Sequence, residues 1–114
     1  MVLLEFSMSP LNKGDSVSEY VARSLKIIAA SGLDYRLHAM GTIIEGEVSE
    51  VLAVLQKCLE AMAEDCDRVT CTAKLDYRKG YQGRLDSKVK SVIEKVDVPL
   101  KTLVEGGATS SEDQ

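Results

Sequence analysis

Val2, Leu4, Phe6 and Met8 alternate with Leu3, Glu5, Ser7 and Ser9, the period-two pattern of a strand with one apolar and one more polar face. Pro10 ends it, and Gly14 punctuates the loop that follows. Ser16 with Glu19 three residues later has the form of a capping box. The spacing then predicts a helix with Val17, Tyr20, Val21, Leu25 and Ile28 on its apolar stripe, Glu19 set to pair with Arg23, and Ser31-Gly32 as its stop. Residues 34–47 are β-rich and long for one short strand. They divide into Tyr35–Ala39 and Thr42–Glu47, with Gly41 supplying the positive φ of a tight turn; one continuous long strand is the competing reading.

From Ser49 to about Asp65 the period returns to that of a helix, with Val51, Leu52, Leu55, Cys58, Leu59 and Met62 expected to face inward. Arg68–Arg78 is the clearest strand pattern in the chain. Val69, Cys71, Ala73, Leu75 and Tyr77 point one way, and Thr70, Thr72, Lys74 and Asp76 the other. A third helix is expected from about Leu85 to Val96, with Asp86 four residues before Lys90, and a weak extended piece around Pro99. No internal repeat of solenoid length occurs.

The order β-α-β-β-α-β is that of the ferredoxin-like α+β sandwich: a four-stranded antiparallel sheet with two helices on one face, here with an additional C-terminal helix. One domain spanning residues 1–104 accounts for the patterned sequence. The small, polar, acidic stretch 105–114 is expected to be disordered.

The second sheet face is therefore the one of functional interest. It gathers Glu5, Ser7 and Ser9 with Thr70, Thr72, Lys74 and Asp76, and Arg36 and His38 join from the hairpin. Short hydroxyls around a few ionisable groups suit directed hydrogen bonds to a ligand or to another subunit. Thr and Ser also favour strands for their own sake, so a plain strand surface stands beside that reading. Glu45, between Ile44 and Gly46, is open in the same way: a group held for a ligand or interface, or a solvated strand end. Lys74 and Asp76, two residues apart on one face, could also form a salt pair.

Composition narrows the field. A net charge of −4 and aromatics at only 4% argue against nucleic acid, because base-binding sheets need exposed rings and a basic surface. They equally argue against anionic lipid, and no apolar run spans a bilayer. The first ten residues lack a basic n-region, so no signal peptide is expected. Three cysteines without a C-x-x-C read as reduced thiols of a cytoplasmic protein, with no metal and no disulfide. A single histidine and the lack of G-x-S-x-G give no sign of a hydrolase.

The runs EFSMSP at 5–10, SVSEYV at 16–21, SGLDYRLHAMGTIIEG at 31–46 and KLDYRKG at 74–80 together resemble the small thiamine-binding, YkoF-like family of ferredoxin-like proteins, over nearly the whole chain up to about Val96. Leu75 and Tyr77 depart from the family's preference for Ile and an acidic residue at those places. The resemblance implies a non-catalytic, cofactor-free binder of thiamine or its hydroxymethyl-pyrimidine half. It also implies a homo-oligomer, commonly a dimer of dimers.

Under that reading, Ser7, Ser9, Thr42 and Glu45 could hydrogen-bond an aminopyrimidine. The thiazolium cation would favour Glu45 or Asp76 and the face of Tyr35, while Lys74 keeps a phosphorylated form open. The alternative is an assembly module whose second sheet face only buries itself against a twin. A small isomerase on the same fold stands third.

Overall fold

The computed structural model of the chain describes residues 1–14 and 18–102. Its elements follow in the order β1 (Val2–Pro10), α1 (Ser18–Ala30), β2 (Asp34–His38), β3 (Gly41–Gly46), α2 (Val48–Ala63), β4 (Val69–Tyr77) and α3 (Arg84–Lys95). The four strands make one antiparallel sheet in the order β2-β3-β1-β4. This is the ferredoxin-like arrangement that the alternation predicts. The Ser16 capping box and the acidic stretch 105–114 lie outside the described residues.

β1 is central because it is apolar enough to be. Val2, Leu4, Phe6 and Met8 are all buried and meet Ile28 of α1, Ile44 of β3 and Val51, Val54, Cys58 and Met62 of α2 in one core. Burying each of these larger side chains contributes on the order of 1.5–3 kcal/mol. Arg23 clamps α1 to α2, donating to Asp65 at 2.8 and 3.1 Å and to the Ala61 carbonyl at 3.1 Å. The pair lowers the Asp65 carboxyl and raises the Arg23 guanidinium from their ordinary values. The nearby Glu19, at 3.8 Å, is the weaker partner.

Residues 34–47 form two strands, turned at residues 39 and 40. Gly41 is needed for space more than for the turn. Its φ of 159° is close to extended, but a Cβ there would sit 2.7 Å from the Phe6 carbonyl oxygen. Gly32 does serve a left-handed helix stop, with φ +80°, while Ser31 Oγ donates to Ile28 O at 2.6 Å and accepts from Leu33 N–H at 3.2 Å. α2 starts one residue earlier than Ser49, because Glu47 and Glu50 form a reciprocal capping box.

Three expectations are revised. On α2, Val54 is buried, whereas Leu52 and Leu59 are 41% and 44% exposed. The core-side row of β4 is also open: Cys71 and Ala73 are exposed, Leu75 is 50% and Tyr77 62% exposed, and only Val69 is half-buried. The two helices lie chiefly over β1 and β3, and of this edge strand only Val69 packs against the core. Residues 97–102 form no strand.

The second sheet face is not wholly open either. α3 crosses it at the Leu3 end, where register places Leu3, Glu45 and Asp76 side by side. Leu85 of α3 and Leu3 of β1 are buried there.

Candidate functional site

α3 is held to the sheet mostly by charge. The buried Glu45 carboxylate accepts the Arg84 backbone N–H at 3.0 Å, satisfying one of the free donors of the α3 N-terminus where the helix dipole favours an anion. The buried Arg84 guanidinium donates to Asp76 Oδ2 at 2.8 Å and to the Asp76 carbonyl at 3.2 Å. Lys88 reaches the same Oδ2 at 2.6 Å. Arg36 of β2 bridges Asp34 and Asp86, each at 2.8 Å. The Lys88 ammonium, joined by Arg84, holds the Asp76 carboxyl below the usual carboxylate range, and partial burial offsets only part of that. Asp76 thus has Arg84 and Lys88 as its cationic partners, where sequence spacing had offered Lys74.

Below this helix lies a shallow cleft of about 190 Å³, lined by Leu3, Glu5, Ile43, Lys74, Asp76 and Lys88. Both signs of charge line it.

A second cleft, of about 210 Å³, opens at the other end of the molecule, between α1 and the β2–β3 hairpin. Phe6, Met8, Val21, Ile28 and Leu37 give it apolar walls; Ser7, Ser9, Ser24 and Thr42 bring the hydroxyl-bearing residues. Among the described residues no Asp, Glu, Lys or Arg lines it. His38 fixes the hairpin rim. Its Nδ1 accepts the Met40 N–H at 3.2 Å, so the second nitrogen carries the proton in the neutral ring. Nε2 lies 3.1 Å from Glu5 Oε2, within ion-pair distance but out of alignment for a hydrogen bond.

The residues expected to bind a ligand therefore separate. Ser7, Ser9 and Thr42 all line the hairpin cleft, but register puts the buried Thr42 on the Phe6 side of the sheet and Ser7 and Ser9 on the opposite side. Lys74 and Asp76 line the cleft under α3, and Glu45 is sealed beneath that helix. Tyr35 stands partly exposed on the helix-side row of β2, on neither cleft lining. Ser24 was missed by sequence reasoning, because an isolated serine on a helix looks like a surface residue. The single hint is that it falls four residues before Ile28, on the inward side.

Cys58 and Cys66 are buried and Cys71 is exposed, all as free thiols; burial pushes the Cys58 thiol up. Among the described residues no His, Cys, Asp and Glu cluster could hold a metal ion, and no helix is long and apolar enough to cross a membrane.

Comparison with known proteins decides the family. The family described as thiamine-binding protein matches residues 4–93. The chain belongs to that family. A UPF0045 protein of Mycobacterium bovis is 39% identical over 92 residues, which is 80% of this chain and 90% of the relative. A Methanocaldococcus jannaschii protein of hypothetical function has a crystal structure that superposes with a TM-score of 0.76 at 34% identity, covering 82% of this chain and 96% of that one. A Thermotoga maritima structure, named provisionally for thiamine biosynthesis or salvage, gives a TM-score of 0.71 at 20% identity over 80% of this chain and 97% of its own, a likeness of fold.

Proposed function

We propose that the protein binds thiamine or its hydroxymethyl-pyrimidine half without transforming it, in the cytoplasm, as a homo-oligomer. The observation that carries this reading is the hairpin cleft. Its apolar floor is of ring size, and three of the residues the chemistry of an aminopyrimidine asks for line it, Thr42 from the helix side of the sheet and Ser7 and Ser9 along the β1 edge. Membership of the thiamine-binding family supports the same ligand class. Glu45 and Asp76, tied to α3, act in this reading as supports of the fold near the cleft under that helix.

Calorimetric and thermal-shift titrations with thiamine, the pyrimidine alcohol and thiamine pyrophosphate test it. A specific ligand raises the melting temperature by mass action, by about 2.7 kcal/mol of added stability at a hundredfold excess over Kd. The absence of any shift with all three overturns the proposal.

One observation favours the second reading, an assembly module. β4 is an edge strand with an exposed apolar row, and Leu52 and Leu59 of α2 are exposed as well. Edge strands of this kind ordinarily pair or are blunted. Two copies joined antiparallel through β4 would extend one four-stranded sheet into another and set the two apolar rows side by side. The two readings are compatible, since the hairpin cleft lies at the β2–β3 side of the sheet, away from β4.

A further inference from the structure

The β2–β3 turn depends on a bond that only a neutral imidazole can make. His38 and Gly41 are paired in register and flank Ala39 and Met40. Two-residue hairpin turns favour types I′ and II′, which set one or both central residues at positive φ. Neither Ala39 nor Met40 has a positive φ. The turn is therefore of a kind whose twist does not match its strands, and a side chain ties it. Met40 N–H donates to His38 Nδ1 at 3.2 Å. Asn and Asp side chains make the same bond to the backbone two residues on.

The second ring nitrogen is placed for the cation instead. Nε2 is buried, has no hydrogen-bond partner and lies 3.1 Å from Glu5 Oε2. An imidazolium would be attracted to that carboxylate, but it carries a proton on Nδ1 as well, where the Met40 N–H already points. Two donors then face each other, so the ring cannot be charged and hold the turn. Two other cations stand near it on this sheet face. Arg36, two residues earlier on β2, is held by Asp34 and Asp86, and Lys74 of β4 lies opposite Glu5. Across the sheet, α1 brings Val21 and Ser24 to the cleft, and neither titrates.

The turn is also a wall. Leu37, His38, Ala39 and Met40 line the hairpin cleft opposite α1, and Met40 is 82% exposed.

We propose that His38 is a proton-operated latch on the hairpin. Neutral, it ties the β2–β3 tip through Met40. Protonated at Nδ1, it releases Met40, pairs with Glu5 and loosens the hairpin wall of the cleft. Histidine is the side chain that ordinarily changes charge between pH 5 and pH 8. The latch belongs to the turn itself and does not depend on what the cleft takes.

NMR spectra of the full chain between pH 8 and pH 5 test it, and a single histidine makes the ring signals unambiguous. At pH 8 the ring nitrogens report the Nε2–H tautomer. As the ring gains its charge, the protection of the Met40 amide, corrected for the intrinsic exchange rate, falls about fivefold, the scale of one hydrogen bond. The Leu37 and Ala39 amides shift in the same transition, and the core amide of Leu4 does not. His38→Asn offers an acceptor in the place of Nδ1 that does not titrate, so Met40 stays protected at both ends of the range. His38→Ala has no acceptor and leaves Met40 unprotected throughout.

An Nδ1–H tautomer at pH 8 overturns the proposal, and so does Met40 protection that persists while the ring charges. A Leu37 amide that stays still overturns it too, because the wall then remains closed. An acid response in His38→Asn equal to that of wild type assigns the release to Glu5, Asp34 or Asp86 and overturns the latch.

Discussion

β1 and β4 are hydrogen-bonded neighbours of nine residues each, and both carry an alternating apolar row on the same side of the sheet. The β1 row, Val2-Leu4-Phe6-Met8, is sealed beneath α1 and α2. The β4 row, Cys71-Ala73-Leu75-Tyr77, lies one strand over and faces outward. Period-two alternation therefore reports that a face is meant for burial, and says nothing about whether the chain's own helices or another surface does the burying. Where two helices serve four strands, the edges are left partly bare, and here β4, like Tyr35 and Leu37 of β2, has kept the composition of a core.

The largest expected effect comes from the sealed row. Leu4→Ala, at a fully buried site, should cost about 2–5 kcal/mol in urea denaturation, whatever the protein concentration. A loss below 1 kcal/mol would mean that the β1 row is no more a core than the β4 row.

Leu75→Lys should leave the stability of an isolated monomer within about 0.5 kcal/mol. It should weaken self-association by about 2 kcal/mol, the scale of an interface hot spot, shifting sedimentation toward the monomer. If the wild type already sediments as a monomer, the apolar row on β4 has another use. A milder change on the exposed side of α2, Leu59→Gln, should give a smaller shift of about 1 kcal/mol in the same measurement.

The smallest effect concerns the far end of β4, where charge takes over from apolar contact. The Asp76 carboxyl, lowered by Lys88 and Arg84, stabilises the docked α3 fully only above its unfolded-state pKa of about 3.9. That contribution is lost as pH falls through the lower folded-state value. Amide exchange along α3 should therefore quicken under acid before the β1 amides respond, and Asp76→Asn should remove the difference between pH 5 and pH 3. Equal quickening of both segments would place α3 within the main cooperative unit.

The elements that were legible in the sequence are those governed by local pattern. The β1 alternation, the Ser31-Gly32 stop and the break at residues 39 and 40 each follow from a few adjacent residues. The placement of α3 was not legible, because it depends on contacts between distant positions: Glu45 with Arg84, Asp76 with Arg84 and Lys88, Arg36 with Asp86. No periodicity reports those meetings.

The candidate ligand residues divided for the same reason. Register pairs Thr42 with Phe6 on the helix side, whereas Ser7 and Ser9 alternate to the second face, so they share only the rim of the hairpin cleft; the neighbours of Glu45 and Asp76 come from a helix whose docking no alternation encodes. Leu52 and Leu59 were assigned to the core because a wide apolar stripe on a helix does not say where its buried arc ends.

The carboxylate of Glu45 sits on a strand completed long before α3 exists during synthesis. While the chain is still emerging from the ribosome, both helices of the main core can close over β1, with Glu45 still bathed in water on the opposite side. The arrival of Arg84 then shuts a charged group into the interior as the final event, so a nascent chain halted before that residue should already possess its principal core and still carry an open, acidic flank.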